Sequence, residues 1–227
     1  MTYQGMPIWR MPGSTAYSYT TANMAIDADG APNAYNPQNT GLDSNADASY
    51  PNKEWRSVLA LDPADNSQPY VQVAGPFAGY FVSKTSLKDP SAAVLEIDPR
   101  KYVDATAFPY IVFPGAFYGA PGTGHLGDIV IARVVGSALS CPAIVADVGP
   151  VNAPLGEVSM CLATNLGGQN PNPRNGAGAP AGPFQYVVFP GTKTTPPWPR
   201  TLAEIIATAN ALLAAIGGWA AVDASST

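Results

Sequence analysis

The sequence predicts a mainly β protein, a closed β-barrel of the six-stranded type with long loops and a C-terminal helix, and three observations carry this reading. First, 22 Gly and 24 Pro in 227 residues interrupt the chain too often for long helices to pack into a bundle. Second, β-branched runs closed by Pro or Gly recur through the middle of the chain at 110–113, 128–135 and 143–146, as buried strands do. Third, Phe108-Pro-Tyr-Ile-Val-Phe-Pro-Gly115 matches Phe184-Gln-Tyr-Val-Val-Phe-Pro-Gly191 at six of eight places.

Between the two copies, Gly127-Asp128 and Gly156-Glu157 each open an apolar strand. The pattern suggests a double-psi-like barrel of interleaved halves around a pseudo-twofold axis. Closure removes unpaired edges and leaves long loops free to form a cleft on one rim. A single domain is expected over 1–227, with the barrel core at about 55–191 and the helix at about 201–219.

In chain order, residues 5–50 read as polar loop, with Asp29-Gly30 as a tight turn. Short strands are expected at 55–61, 70–73 and 79–82, ahead of the central three, and another at 158–163. Residues 165–183 form an Asn-, Gly- and Pro-rich loop, and the Leu, Ile and Ala of 201–219 make a helix packed on the barrel's outside. That apolar stretch is interrupted by Glu204, Asn210, Gly217 and Gly218, so no membrane span is expected.

The net charge of −5, with only 11 Lys and Arg, argues against nucleic acid as a partner, because phosphate binding needs clustered cations. Cys141 and Cys161 are read as buried thiols or one disulfide, and with His125 as the sole histidine a zinc site of His and Cys is excluded. No phosphate-binding loop is present, since Pro121-Gly-Thr-Gly-His125 lacks the required Lys. No cofactor and no metal are expected, and a monomer is. The amino terminus lacks a basic segment followed by an apolar run, so no secretory signal is read.

Two carboxylates stand out. Asp147 follows the apolar run 143–146 and precedes Val148-Gly149-Pro150, and Glu157 begins the next strand after Gly156. A carboxyl desolvated at a strand mouth keeps its proton, while one in a wetter place stays ionised. Glycosidic cleavage needs that division: one group protonates the leaving oxygen, and the other activates water or attacks the anomeric carbon. Spacing alone equally allows each to cap a turn.

The segments Phe81-Val-Ser-Lys-Thr-Ser-Leu87, Tyr102-Val-Asp-Ala105, Pro109-Tyr-Ile-Val-Phe-Pro-Gly115, Gly127-Asp128, Ala146-Asp-Val-Gly-Pro150 and Gly156-Glu-Val-Ser159 resemble the ordered motifs of glycoside hydrolase family 75, the fungal-type chitosanases. Met24-Ala-Ile-Asp-Ala-Asp-Gly30 resembles the family's early Asp-x-Asp-Gly motif. The resemblance implies endo-hydrolysis of β-1,4-linked glucosamine with inversion, secretion, and a catalytic pair at Asp147 and Glu157. Glu157 is favoured as acid and Asp147 as base, with the reverse left open. The excursion at 167–182 and the Pro-rich stretch with Trp198 match no motif of the fungal enzymes.

Chitosan or glucosamine oligosaccharides are therefore the expected partners. A polycation of this kind should meet carboxylates, for which Asp27, Asp29, Asp43 and Asp128 are candidates. Tyr35, Tyr118 and Trp198 are candidates to stack on sugar faces, and His125 to bond a hydroxyl. Three rival readings stand beside this one: a thiol nucleophile at Cys161 or Cys141 with His125, a non-catalytic polysaccharide-binding module, and a related barrel hydrolase acting on another cell-wall polymer.

Overall fold

Alternation along the central strands divides their side chains between two cores, one on each face of a single large sheet. In the computed structural model, which describes residues 1–226, the main strands are β4 (Tyr17–Thr21), β5 (Ala25–Asp27), β6 (Tyr110–Pro114), β7 (Ile129–Val134), β8 (Ser140–Gly149), β9 (Glu157–Ser159) and β10 (Phe184–Phe189). A short β1–β2 hairpin (Thr2–Tyr3, Met6–Pro7) and the edge strand β3 (Trp9–Arg10) precede them. Tyr110, Val112, Ile129, Ile131, Ile144, Val187 and Phe189 enter one core, whose far wall includes Ala28, Trp55, Phe81, Ile205 and Ala209. Ile111, Phe113, Val130, Ala143, Val145, Tyr186 and Val188 enter the other, with Tyr17, Phe117 and Leu162. A sheet buried on both faces reads as continuous apolar runs, which is why these strands stand out in the sequence.

The eight strands run in the order β3-β4-β10-β7-β8-β6-β9-β5. The protein is thus mainly β with a few helices, as expected, but no closed barrel is found, because this order is linear with β3 and β5 at its ends. The near-repeat copies become β6 and β10, yet β6 pairs with β8 in parallel whereas β10 pairs with β7 and β4 antiparallel, so they do not occupy equivalent places.

Other expectations are corrected locally. The region 55–61 holds a 3-10 helix, Lys53–Ser57, and only single bridges follow at Leu59, Leu61, Val71 and Phe81 where short strands were expected. The run 158–163 changes direction: Ser159 ends β9, and its Oγ accepts from the Leu162 amide (3.1 Å) to cap helix α2 (Met160–Asn165). Residues 5–50 are not all loop, since β4 pairs along its length with β10. The C-terminal helix begins at a Thr201–Glu204 capping box as α3 (Leu202–Ala215), then breaks at Gly217, which has φ +92°, into α4 (Gly218–Ser225), bent by 60°. Among the described residues no single helix is long and apolar enough to cross a membrane.

Between β6 and β8 the register slips. Ile111 pairs with Val145, but Val112 pairs with Asp147, leaving Ala146 as an extra residue. Strict alternation from Ala143 and Val145 would send Asp147 into the second core; the bulge turns it instead to the face of Tyr110 and Val112.

Candidate active site

Three strands, β5, β8 and β9, deliver carboxyls to one face of the sheet. Asp147 arrives through the bulge in β8. In the parallel β5–β9 pair, Ile26 and Val158 share the second core, so the alternating Asp27 and Glu157 fall on the opposite side with Asp147. Asp29 follows just beyond β5. One oxygen from each of Asp27, Asp29 and Asp147 lies within 4.8 Å of the others, close enough to hold a small cation or a substrate ammonium group. Asp43 joins through Tyr35, whose hydroxyl lies 2.9 Å from Asp29 Oδ1 and 3.2 Å from Asp43 Oδ2.

These carboxyls are not equally provided with donors. Asp147 Oδ1 accepts from the Ser86 amide (2.9 Å), from Ser86 Oγ and from the Val148 amide (2.7 Å). Asp27 accepts from the Asp29 amide (2.8 Å) and from the Tyr110 hydroxyl (3.0 Å). Asp29 also accepts from Ser83 Oγ (3.1 Å). Glu157 lies against Gly149, where an added Cβ would stand 3.2 Å from its Oε2. No hydrogen bond holds the Glu157 carboxylate among the described residues, so it has the poorest means of carrying charge.

The protonation pattern follows. Burial, then the charges of Asp147 and Asp43, push Glu157 up to about 7. Burial also raises Asp147, but the Ser86 and Val148 hydrogen bonds and the Lys84 ammonium pull it back. Asp27 and Asp29 are held well above the usual carboxylate range by burial and by neighbouring carboxylates, and Asp43 reaches about 6. The single Tyr35 proton cannot serve both Asp29 and Asp43, which also favours a proton on one of them. At neutral pH a Glu157 value of about 7 leaves roughly half of the Glu157 carboxyls protonated, while the donors around Asp147 favour charge there, the two states that an acid and a base require.

A stability prediction follows, with its sign fixed by linkage. A carboxyl whose folded value lies above its unfolded one contributes stability that is fully present below the unfolded value and lost as pH rises through the folded value. For Glu157 that window runs from about 4.5 to about 7. Thermal melts should therefore show a less stable protein at pH 8 than at pH 5, and Glu157→Gln should reduce the difference by on the order of 2 kcal/mol. A melting temperature that rises across this range would contradict the assignment.

Among the other candidates, Tyr35 is buried and braces carboxylates, so it is not a platform for stacking on sugars. Asp128 is buried away from the cluster as a loop cap: its Oδ2 accepts from the His125 amide (2.7 Å) and its Oδ1 from the Lys193 amide (2.8 Å). His125 and Tyr118 pack edge to face, with ring centroids 6.2 Å apart, in a separate hollow lined by Arg10 and Pro190. Trp198 is buried edge-on against Phe108 (4.9 Å). Cys141 and Cys161 are free thiols, both approached by Asn165 Nδ2 at 3.4 and 3.7 Å, and no imidazole reaches them, because His125 lies in the other hollow.

Sequence reasoning passed over Ser83, Lys84 and Ser86 as functional residues, although the motif at 81–87 contains all three, and Tyr110, which lies in the near-repeat. The unbroken polar run Ser83-Lys-Thr-Ser86 between apolar Val82 and Leu87 was the available signal. Compared with models of known families and with curated proteins, the sequence matches none.

Proposed function

We propose that the protein is an endo-acting glycoside hydrolase that cleaves β-1,4-linked glucosamine polymers, chitosan in particular, with inversion at the anomeric carbon. The observation that carries this reading is the contrast between two carboxyls on one sheet face: Glu157, raised to about 7 and without donors, and Asp147, held by Ser86 and Val148. Glu157 donates its proton to the glycosidic oxygen as that bond breaks. Asp147 takes a proton from the water that attacks the opposite face of the sugar. Asp27, Asp29 and Asp43 meet the ammonium groups of neighbouring sugars and orient the chain.

The finer fold assignment, a double-psi-like barrel with interleaved halves, is carried as part of this proposal. Because β4 and β7 occupy both edges of β10, closure requires the end strands β3 and β5 to pair, and a crystal structure in which they stay apart would reject it.

Reducing-sugar release from soluble chitosan tests the function, with chitin, carboxymethylcellulose and peptidoglycan alongside and the product anomer followed by NMR. Release from chitosan with an inverted product is the expected result. Cleavage of another of these polymers instead would assign the site to a different wall polysaccharide, and binding without any release would leave a carbohydrate-binding module.

A further inference from the structure

A cavity of about 630 Å³ is walled by segments that adjoin the carboxylate cluster along the chain, and it is chemically unlike that cluster. One wall is Gly41 and Leu42, which lead directly into Asp43; another is Met160 and Thr164 of α2, which follows Glu157-Val158-Ser159. The third is the stretch Asn170–Arg174 of the long excursion, which therefore does not wander freely over the surface. Arg174 ties it down, donating from Nη2 to the carbonyls of Asn39 (2.8 Å), Gly41 (3.0 Å) and Asp43 (2.8 Å) and from Nε to that of Gly41 (3.1 Å). A continuous series of contacts thus runs from the cavity wall through Asp43 and Tyr35 to Asp29.

The cavity's charge is opposite to that of the cluster. Among the described residues no carboxylate lines it, and Arg174 supplies the formal charge there. The rest of the lining is the Cys161 thiol and amides and hydroxyls (Asn165, Asn170, Asn172, Thr106, Thr164) interspersed with apolar surface from Leu42, Met160, Pro171 and Pro173. A sugar ammonium group would be repelled by the guanidinium, and Asp104 behind the lining already accepts from the Thr106 amide (2.8 Å) and Thr106 Oγ1 (2.7 Å). A neutral acetamido group fits both halves of the lining: its carbonyl and N–H pair with side-chain amides and hydroxyls, and its methyl lies on the apolar residues.

We infer that this cavity is a binding subsite for an N-acetylated glucosamine unit, so that the protein takes partly acetylated chains with a charged unit at the carboxylates and a neutral unit beside them. The substrate class rests on the function proposed above; the choice of the acetylated unit rests on the cavity.

The test uses the full chain in two arms. In the first, the Glu157→Gln variant is titrated with the fully acetylated and the fully deacetylated tetrasaccharide while backbone amide shifts are followed by NMR. The acetylated sugar should move Leu42, Thr106 and Asn172, and adding Thr164→Trp, a substitution at an exposed position that fills the cavity, should weaken its binding about tenfold or more relative to the deacetylated sugar. In the second, the wild type digests half-acetylated chitosan and the products are sequenced by mass spectrometry; an N-acetyl unit enriched at one fixed distance from the cut is expected. Shifts at the cavity that Thr164→Trp abolishes, in a protein that cuts no chitosan, would uphold the subsite and remove the hydrolase reading. Chitosan cleavage with no response of the cavity to acetylated sugar, or with N-acetyl units absent from every position near the cut, would overturn the subsite and leave the hydrolase reading standing.

Discussion

Replacing Glu157 by Gln, or Asp147 by Asn, is expected to slow chitosan hydrolysis by about 10²- to 10⁴-fold, the range contributed by a positioned general acid or base. Both substitutions keep the side chain's shape, and both remove charge from a crowded set of buried carboxyls, so neither should lower the melting temperature at neutral pH. The two losses differ in kind. A β-glucosaminide with a good aryl leaving group needs little proton donation, so it should restore much of the rate to Glu157→Gln and little to Asp147→Asn. The opposite pattern would exchange the two roles. Equal and small losses in both variants would remove the carboxyl pair from the chemistry.

The second large effect is on stability. Gly30 follows Asp29 with φ +77°, and an added Cβ would stand 2.1 Å from the Val103 carbonyl oxygen, a backbone atom that cannot swing aside. Its amide also donates to Ser83 Oγ (3.1 Å), the hydroxyl that donates in turn to Asp29. Gly30→Ala therefore combines left-handed backbone strain with a clash, at a cost of about 3 kcal/mol or more. For a chain of this size the melting temperature should fall by roughly 6–12 °C, and activity should fall with it at temperatures where the variant is still folded, because Asp29 is displaced. A melting curve unchanged within 2 °C or so would mean that the turn relaxes freely.

How far the sequence could be read varied with the kind of signal. The strands β6, β7 and β10 were legible because both of their faces are buried and their runs are uninterrupted. The strand Tyr17–Thr21 was not, since a Tyr-Ser-Tyr-Thr-Thr segment resembles polar loop until the pairing of Tyr19 with Tyr186 buries it. The carboxyls of Asp27, Asp29, Asp147 and Glu157 lie on one side of the sheet, with Asp43 joined to them through Tyr35. Asp128 has the same local setting as Glu157, a Gly before it and an apolar strand after it, but it is sealed by the amides of His125 and Lys193. Local sequence does not state which face of a sheet a residue will meet. Asp147 makes the same point from the other side, since counting by twos along β8 sends it to the wrong core and only the extra residue at Ala146 corrects it.

The hydroxyl that Tyr35 divides between Asp29 and Asp43 has a consequence for recognition. Carboxyls that hold protons at neutral pH give them up when a positive group settles among them, because that charge replaces the proton as the partner of the second oxygen. Capture of the proposed cationic sugar would then exchange one positive charge for another, and titration calorimetry in buffers of different ionisation enthalpy is expected to give heats that change with the buffer.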